Sequence, residues 1–220
     1  MRNSNNVRPI RSSNHLSRNH NHKGRVSGPA RLKRPRPLIA VYGSSAAKPR
    51  SDLYALGVDM GRLLGEAGFD VMTGGYQGVM EAVSRGARAG GAHVVGITMA
   101  RFEDRVNPYV VEEIHTANFY ERFGWLVDRA EGYIAMPGGI GTLAEVSFAW
   151  QEILLGIVPK RPLILVGEEW RAMHDSWLAN FVRTPNLFVP LTLAPAPADA
   201  IRRLNAVFNR SEGPSAHVGR

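Results

Sequence analysis

Residues 132–145 read Gly-Tyr-Ile-Ala-Met-Pro-Gly-Gly-Ile-Gly-Thr-Leu-Ala-Glu: an apolar run, a glycine-rich break, then the start of a helical pattern. The run Gly132 to Met136 has the nearly continuous apolar character of a strand covered on both faces, as in a parallel sheet. Gly138, Gly139 and Gly141 then leave main-chain N–H groups unshielded where a helix begins. Unpaired donors and the positive end of the helix dipole point the same way there, which suits phosphate oxygens. Glu145 adds a carboxylate one helical turn further on. An anion site with an acid beside it points to a nucleotide site that carries out chemistry.

Working outward, the same strand–glycine–helix sequence recurs. Leu38 to Tyr42 is apolar and ends in Gly43-Ser44-Ser45; Phe69 to Thr73 ends in Gly74-Gly75-Tyr76-Gln77-Gly78. His93 to Thr98 and Pro162 to Val166 complete five strand-like segments. Helical spacing of apolar residues runs from Asp52 to Ala67, from Gly78 to about Ala89, from Asn118 to Ala130, from Thr142 to Leu155, from Trp170 to Phe181 and from Asp199 to Phe208. Met99 to Pro108 reads as a loop, and Tyr109 to Ile114 as a short extra strand. Such alternation predicts an α/β, Rossmann-like three-layer sandwich with a mostly parallel sheet flanked by helices. Its ligand belongs at the C-terminal strand ends, where the glycine turns after Tyr42, Thr73 and Met136 would converge.

The net charge of +8 is unevenly placed. Residues Met1 to Pro37 hold ten Lys or Arg and no acid, leaving 17 basic and 19 acidic residues in the remainder. The segment 1–37 therefore reads as a disordered basic tail, 38–209 as the folded domain and 210–220 as a disordered end. The tail is foremost a solvated extension; an organelle transit peptide and a nucleic-acid-binding arm are further readings of the same composition. With no Cys and no apolar run long enough to span a bilayer, the expected setting is cytoplasmic and away from membranes.

Taken alone, Thr142-x-x-Glu145 reads as a capping box, in which the carboxylate reaches back to the cap residue. The glycine turn matches neither the dinucleotide fingerprint nor the Lys-containing phosphate loop of ATPases. His93, His115 and His174 have no paired ligand spacing, so no metal is implied. Trp150 and Phe148, on the helix after the glycine turn, are candidates for a subunit contact, whereas Trp170 and Trp177 read as core.

Pro137-Gly138-Gly139-Ile140-Gly141-Thr142-Leu143-Ala144-Glu145 resembles the Pro-Gly-Gly-x-Gly-Thr-x-x-Glu signature of the LONELY GUY family, cytokinin riboside 5′-monophosphate phosphoribohydrolases formerly labelled lysine decarboxylases. Arg122, fifteen residues before Pro137, matches the family's arginine. Thr73 to Glu81 is similar to its second glycine turn and Gly43-Ser44-Ser45 to its first. Phe123, Leu126 and Ala144 depart from the family pattern. The resemblance implies hydrolysis of the N-glycosidic bond of a purine or cytokinin riboside 5′-monophosphate by a homodimer without cofactor. Arg122 and Glu145 would be catalytic. Gly138, Gly139, Gly141 and Thr142 would cradle the phosphate, and Gly43, Ser44, Gly74 and Gly75 would line the sugar side. Glu81 is assigned to the helix dipole rather than to the pocket. The alternative is a non-catalytic nucleotide or molybdenum-cofactor carrier on a related fold. A pyridoxal decarboxylase is disfavoured, since the only lysines are Lys23, Lys33, Lys48 and Lys160 and none lies in a recognisable cofactor motif.

Overall fold

The computed structural model describes residues 36–100, 105–182 and 184–209. The expected N-terminal and C-terminal tails lie outside the described residues, apart from Arg36 and Pro37 in the one case. Arg36 differs from a solvated tail residue: its guanidinium donates to the Gly65 and Gly91 carbonyls and lies 3.8 Å from Asp70.

Among the described residues, seven strands and six helices follow one another: β1 (Leu38–Tyr42), α1 (Asp52–Glu66), β2 (Asp70–Thr73), α2 (Val79–Ala89), β3 (Val94–Met99), β4 (Glu112–Thr116), α3 (Phe119–Asp128), β5 (Gly132–Ala135), α4 (Ile140–Leu154), β6 (Leu163–Val166), α5 (Glu168–Asn180), β7 (Leu191–Ala194) and α6 (Pro197–Asn209). The sheet order is β4-β3-β2-β1-β5-β6-β7, and every pairing is parallel. The chain winds outward from β1 to β4, then returns through α3 to place β5 on the other side of β1. The winding direction therefore switches between β1 and β5, where such sheets open a crevice for ligands.

Strand side chains alternate between two cores. Leu38, Ala40 and Tyr42 face the layer that α3, α4 and α5 cover, with Leu126, Val146 and Trp170. Ile39 and Val41 face Met60, Val83 and Leu204 of α1, α2 and α6. The central strands are covered on both sides, which is why they read as uninterrupted apolar runs.

Among the differences from the sequence reading, three have an identifiable physical reason. The extra strand lies at Glu112–Thr116, where it pairs along the edge of β3. β7 went unrecognised because four residues between Pro190 and Pro195 carry too short a pattern. α4 starts at Ile140, two residues early, because Gly139 is its cap. Trp150 is also corrected. It is 6% exposed, its ring meets Trp177, Phe181 and Phe188, and its indole N–H donates to the Leu187 carbonyl, so it is a core residue of its own chain.

α1 and α2 touch backbone to backbone. A methyl group at Gly61 would overlap the Val83 carbonyl, and one at Gly86 the Val58 carbonyl. Neither obstacle is a side chain that could rotate away. Gly86→Ala should therefore lower the unfolding free energy by about 2 kcal/mol in urea titrations. A loss below about 0.5 kcal/mol would show that the seam yields.

Candidate active site

The three glycine turns meet at the switch point and are tied together by the main chain of one residue. The Ser44 N–H donates to the Pro137 carbonyl at 3.3 Å, and the Ser44 carbonyl accepts from the Val79 N–H at 2.8 Å. The turn after β1 thus grips both the turn after β5 and the first residue of α2. Gly43 and Gly78 permit the approach. A side chain on Gly43 would press into Val79, and one on Gly78, whose φ is +77°, into the Ser44–Ser45 backbone.

The turn after β5 divides by function. A methyl group on Gly138 would strike the Thr142 side chain, so this glycine makes room for its own helix. Gly139 and Gly141 face open space instead, with nothing within 4 Å of a would-be Cβ. Among the described residues no side chain caps α4 at Gly139. A cradle of main-chain donors at a helix start, with the helix dipole behind it, is of a kind that suits an anion.

Behind that cradle lies a buried ion pair. Arg122, on the inner face of α3, is 6% exposed, and Glu145 on α4 is 9% exposed. Arg122 Nη1 donates to Glu145 Oε1 at 3.3 Å, its Nε to the Ile97 carbonyl at 3.0 Å and its Nη2 to the Gly74 carbonyl at 3.5 Å. A side chain on Gly74 would overlap the guanidinium. The carboxylate does not close a capping box, because Thr142 stands inside the helix rather than at its cap. Burial overrides the local spacing and turns Glu145 inward to the one cation that compensates it.

Burial raises the Glu145 pKa from 4.5 to about 7, and Arg122 holds it back from rising further. The nearby Tyr42 hydroxyl is itself held in its neutral form, chiefly by burial and in part by Tyr133 and the Glu145 carboxylate. A carboxyl balanced in this way can take up and release a proton near neutrality, as general acid–base chemistry requires.

The structure thus brings Arg122, Glu145, Gly74, Gly139, Gly141 and Thr142 together at one strand-end crevice. The sequence reading gave Gly43 and Gly75 a sugar-lining role. In the structure a side chain on Gly43 would meet Val79, and one on Gly75, whose φ is +81°, would meet Thr98 and Gly96. Ser44 contributes its peptide group, while its Oγ accepts from Ala46 N–H. Glu81 accepts a hydrogen bond from the Tyr54 hydroxyl at 3.0 Å. Sequence reasoning missed Asn107, whose contacts are described below.

Fold and site define a parallel α/β protein with an uncapped glycine-rich helix start and a buried guanidinium–carboxylate pair at the switch point of its sheet. The model of the SLOG cluster4 family matches residues 36–174. The cytokinin riboside 5′-monophosphate phosphoribohydrolase of Mycobacterium tuberculosis is 30% identical over 173 residues, covering 74% of this chain and 91% of that protein. The protein of the same name from Mycobacterium marinum is 34% identical over 151 residues, 66% and 79% of the two chains. The solved molybdenum cofactor binding protein of Rippkaea orientalis shares the fold, with a TM-score of 0.65, 24% identity and coverage of 79% of this chain and 98% of that one. The chain belongs to the LONELY GUY (SLOG cluster4) family.

A raised carboxyl pKa makes stability depend on pH. The unfolded carboxyl ionises near 4.5, the folded one near 7, so between these values the folded state holds more protons. The contribution of Glu145 is therefore fully present below about pH 4.5 and lost as pH rises through about 7, by about 3 kcal/mol. Unfolding free energies of wild type and Glu145→Gln across pH 4 to 8 test this. Only the wild type should show that decline, and parallel curves would mean that Glu145 titrates normally.

Proposed function

We propose that this protein hydrolyses the N-glycosidic bond of a purine or modified-purine riboside 5′-monophosphate, giving free base and ribose 5-phosphate. The observation that carries the reading is the Arg122–Glu145 pair, buried within two turns of the uncapped glycine start of α4. A phosphate on that cradle brings its own ribose to the carboxyl. The names of the mycobacterial relatives support the same reaction.

The chemistry follows from the parts. As the bond between C1′ and the base nitrogen breaks, its electron pair leaves with the base and positive charge develops on the ribose. A carboxylate beside C1′ stabilises that charge and takes a proton from the attacking water. The oxygen of that water bonds to C1′. The proton held by Glu145 is then available to the departing base nitrogen, which balances the reaction. Arg122 favours the ionised form of Glu145, keeping its proton exchangeable near neutrality, and offers a donor fork to the charge building on the base.

Incubation of the protein with AMP and an N6-prenylated analogue should release free base, resolved by chromatography. Glu145→Gln should reduce release by at least about 100-fold, because the transition-state charge loses its partner. Tight binding without base release would instead support the carrier reading. Undiminished turnover in the variant would remove Glu145 from the mechanism.

The cradle can be tested separately from the chemistry. Gly139→Leu puts a side chain where nothing stands within 4 Å, at a main-chain geometry (φ −97°) open to any residue. The variant should unfold within about 0.5 kcal/mol of wild type, yet raise KM for AMP at least about tenfold. An unchanged KM would place the phosphate elsewhere.

A further inference from the structure

Asn107 stands in the connection from β3 to β4, outside every helix and strand, and is only 5% exposed. Its hydrogen bonds converge on the glycine turn after β2. The main-chain N–H donates to the Gly75 carbonyl at 2.8 Å. The side-chain Nδ2 donates to the same carbonyl and to that of Tyr76, both at 3.0 Å, with Ser84 Oγ 3.5 Å away. The Oδ1 accepts from the Tyr109 N–H at 3.1 Å. Each end of the amide meets a partner of the matching kind, so its orientation is fixed by the network.

Within the turn it holds, the Gly75 N–H donates to the Thr73 hydroxyl at 3.1 Å, while the Gly75 and Tyr76 carbonyls receive donors from Asn107. Gly75 sits at φ +81°, a conformation that glycine tolerates but does not enforce. Buried carbonyls without donors carry a desolvation cost, and Asn107 supplies donors to two in succession. The next carbonyl back along the chain, that of Gly74, accepts from Arg122 Nη2. A side chain at Gly74 would already overlap the guanidinium, so a shift of this turn is felt there directly.

We propose that Asn107 is a positioning residue: it locks the Gly74–Gly75 turn and thereby aims Arg122 at Glu145. The inference rests on the reading of Arg122 and Glu145 as the reacting pair. Asn107 acts through the turn, and its removal loosens the guanidinium without deleting it.

The protonation midpoint of Glu145 reports that alignment. The charged and titratable groups facing this carboxyl are Arg122 from α3 and Tyr42 from β1, and only Arg122 favours its ionised form. Asn107→Ala removes both side-chain donors while the main-chain bond to Gly75 remains. The midpoint is read from unfolding free energy against pH, as the difference between each protein and the same protein carrying Glu145→Gln.

Asn107→Ala should raise the midpoint by about one pH unit. With AMP as substrate, kcat should fall about 10- to 100-fold while KM stays within about threefold. Asn107→Ser, a smaller and neutral change with one donor left, should give an intermediate shift, and it carries the test if the alanine variant does not fold. Lower stability with an unmoved midpoint would show a merely structural role and overturn the proposal. The titration requires no turnover. Failure of the wild type to release base from AMP would therefore count against the hydrolase reading alone.

Discussion

A carboxylate and a guanidinium buried side by side impose a demand that the surrounding architecture has to meet. Removing one partner of such a pair leaves a charge in a poorly solvated place and costs about 3–5 kcal/mol. Arg122 meets the demand with three acceptors from three different elements: the end of β3, the turn after β2 and the Glu145 side chain of α4. Pairing alone does not restore an ordinary carboxyl, and Glu145 remains poised near neutrality. The same burial that makes the pair expensive makes it chemically useful.

The sheet topology explains how the pair arises. β1 is central, with β2 on one side and β5 on the other, so the turns after all three strands end at one edge. α3 and α4 lie on the same face as the inward side chains of that edge, which lets an arginine from one reach a glutamate on the other. The glycines at the edge divide their duties. Gly43 and Gly78 bring backbones together, Gly74 admits the guanidinium, and Gly139 and Gly141 leave their donors uncovered. A motif that looks uniform as text is a set of different steric solutions.

Much of this was legible in the sequence because it is local. Apolar runs followed by glycines disclosed the parallel sheet and the three turns. The spacing of Arg122 and Glu145 around Pro137 brought both residues forward through the family resemblance. What the sequence concealed depends on distant contacts. Thr142 and Glu145 have the spacing of a capping box, but α4 is capped at Gly139, and Glu145 pairs with the buried Arg122 instead. Asn107 sits 31 and 32 positions from the carbonyls it binds, in a stretch without periodicity. Arg36 looks like one more tail cation until the Gly65 and Gly91 carbonyls are seen beside it.

The main chain of Ser44 ties together segments up to more than ninety residues apart, since its N–H reaches Pro137 and its carbonyl receives Val79. No contiguous fragment shorter than that span can assemble the pocket. A ligand that occupies it meets segments from β1 to α4 at once, so occupancy favours the state in which all of them are assembled. Under the proposed function, nucleotide binding is thereby coupled to the joint assembly of β1 through α4.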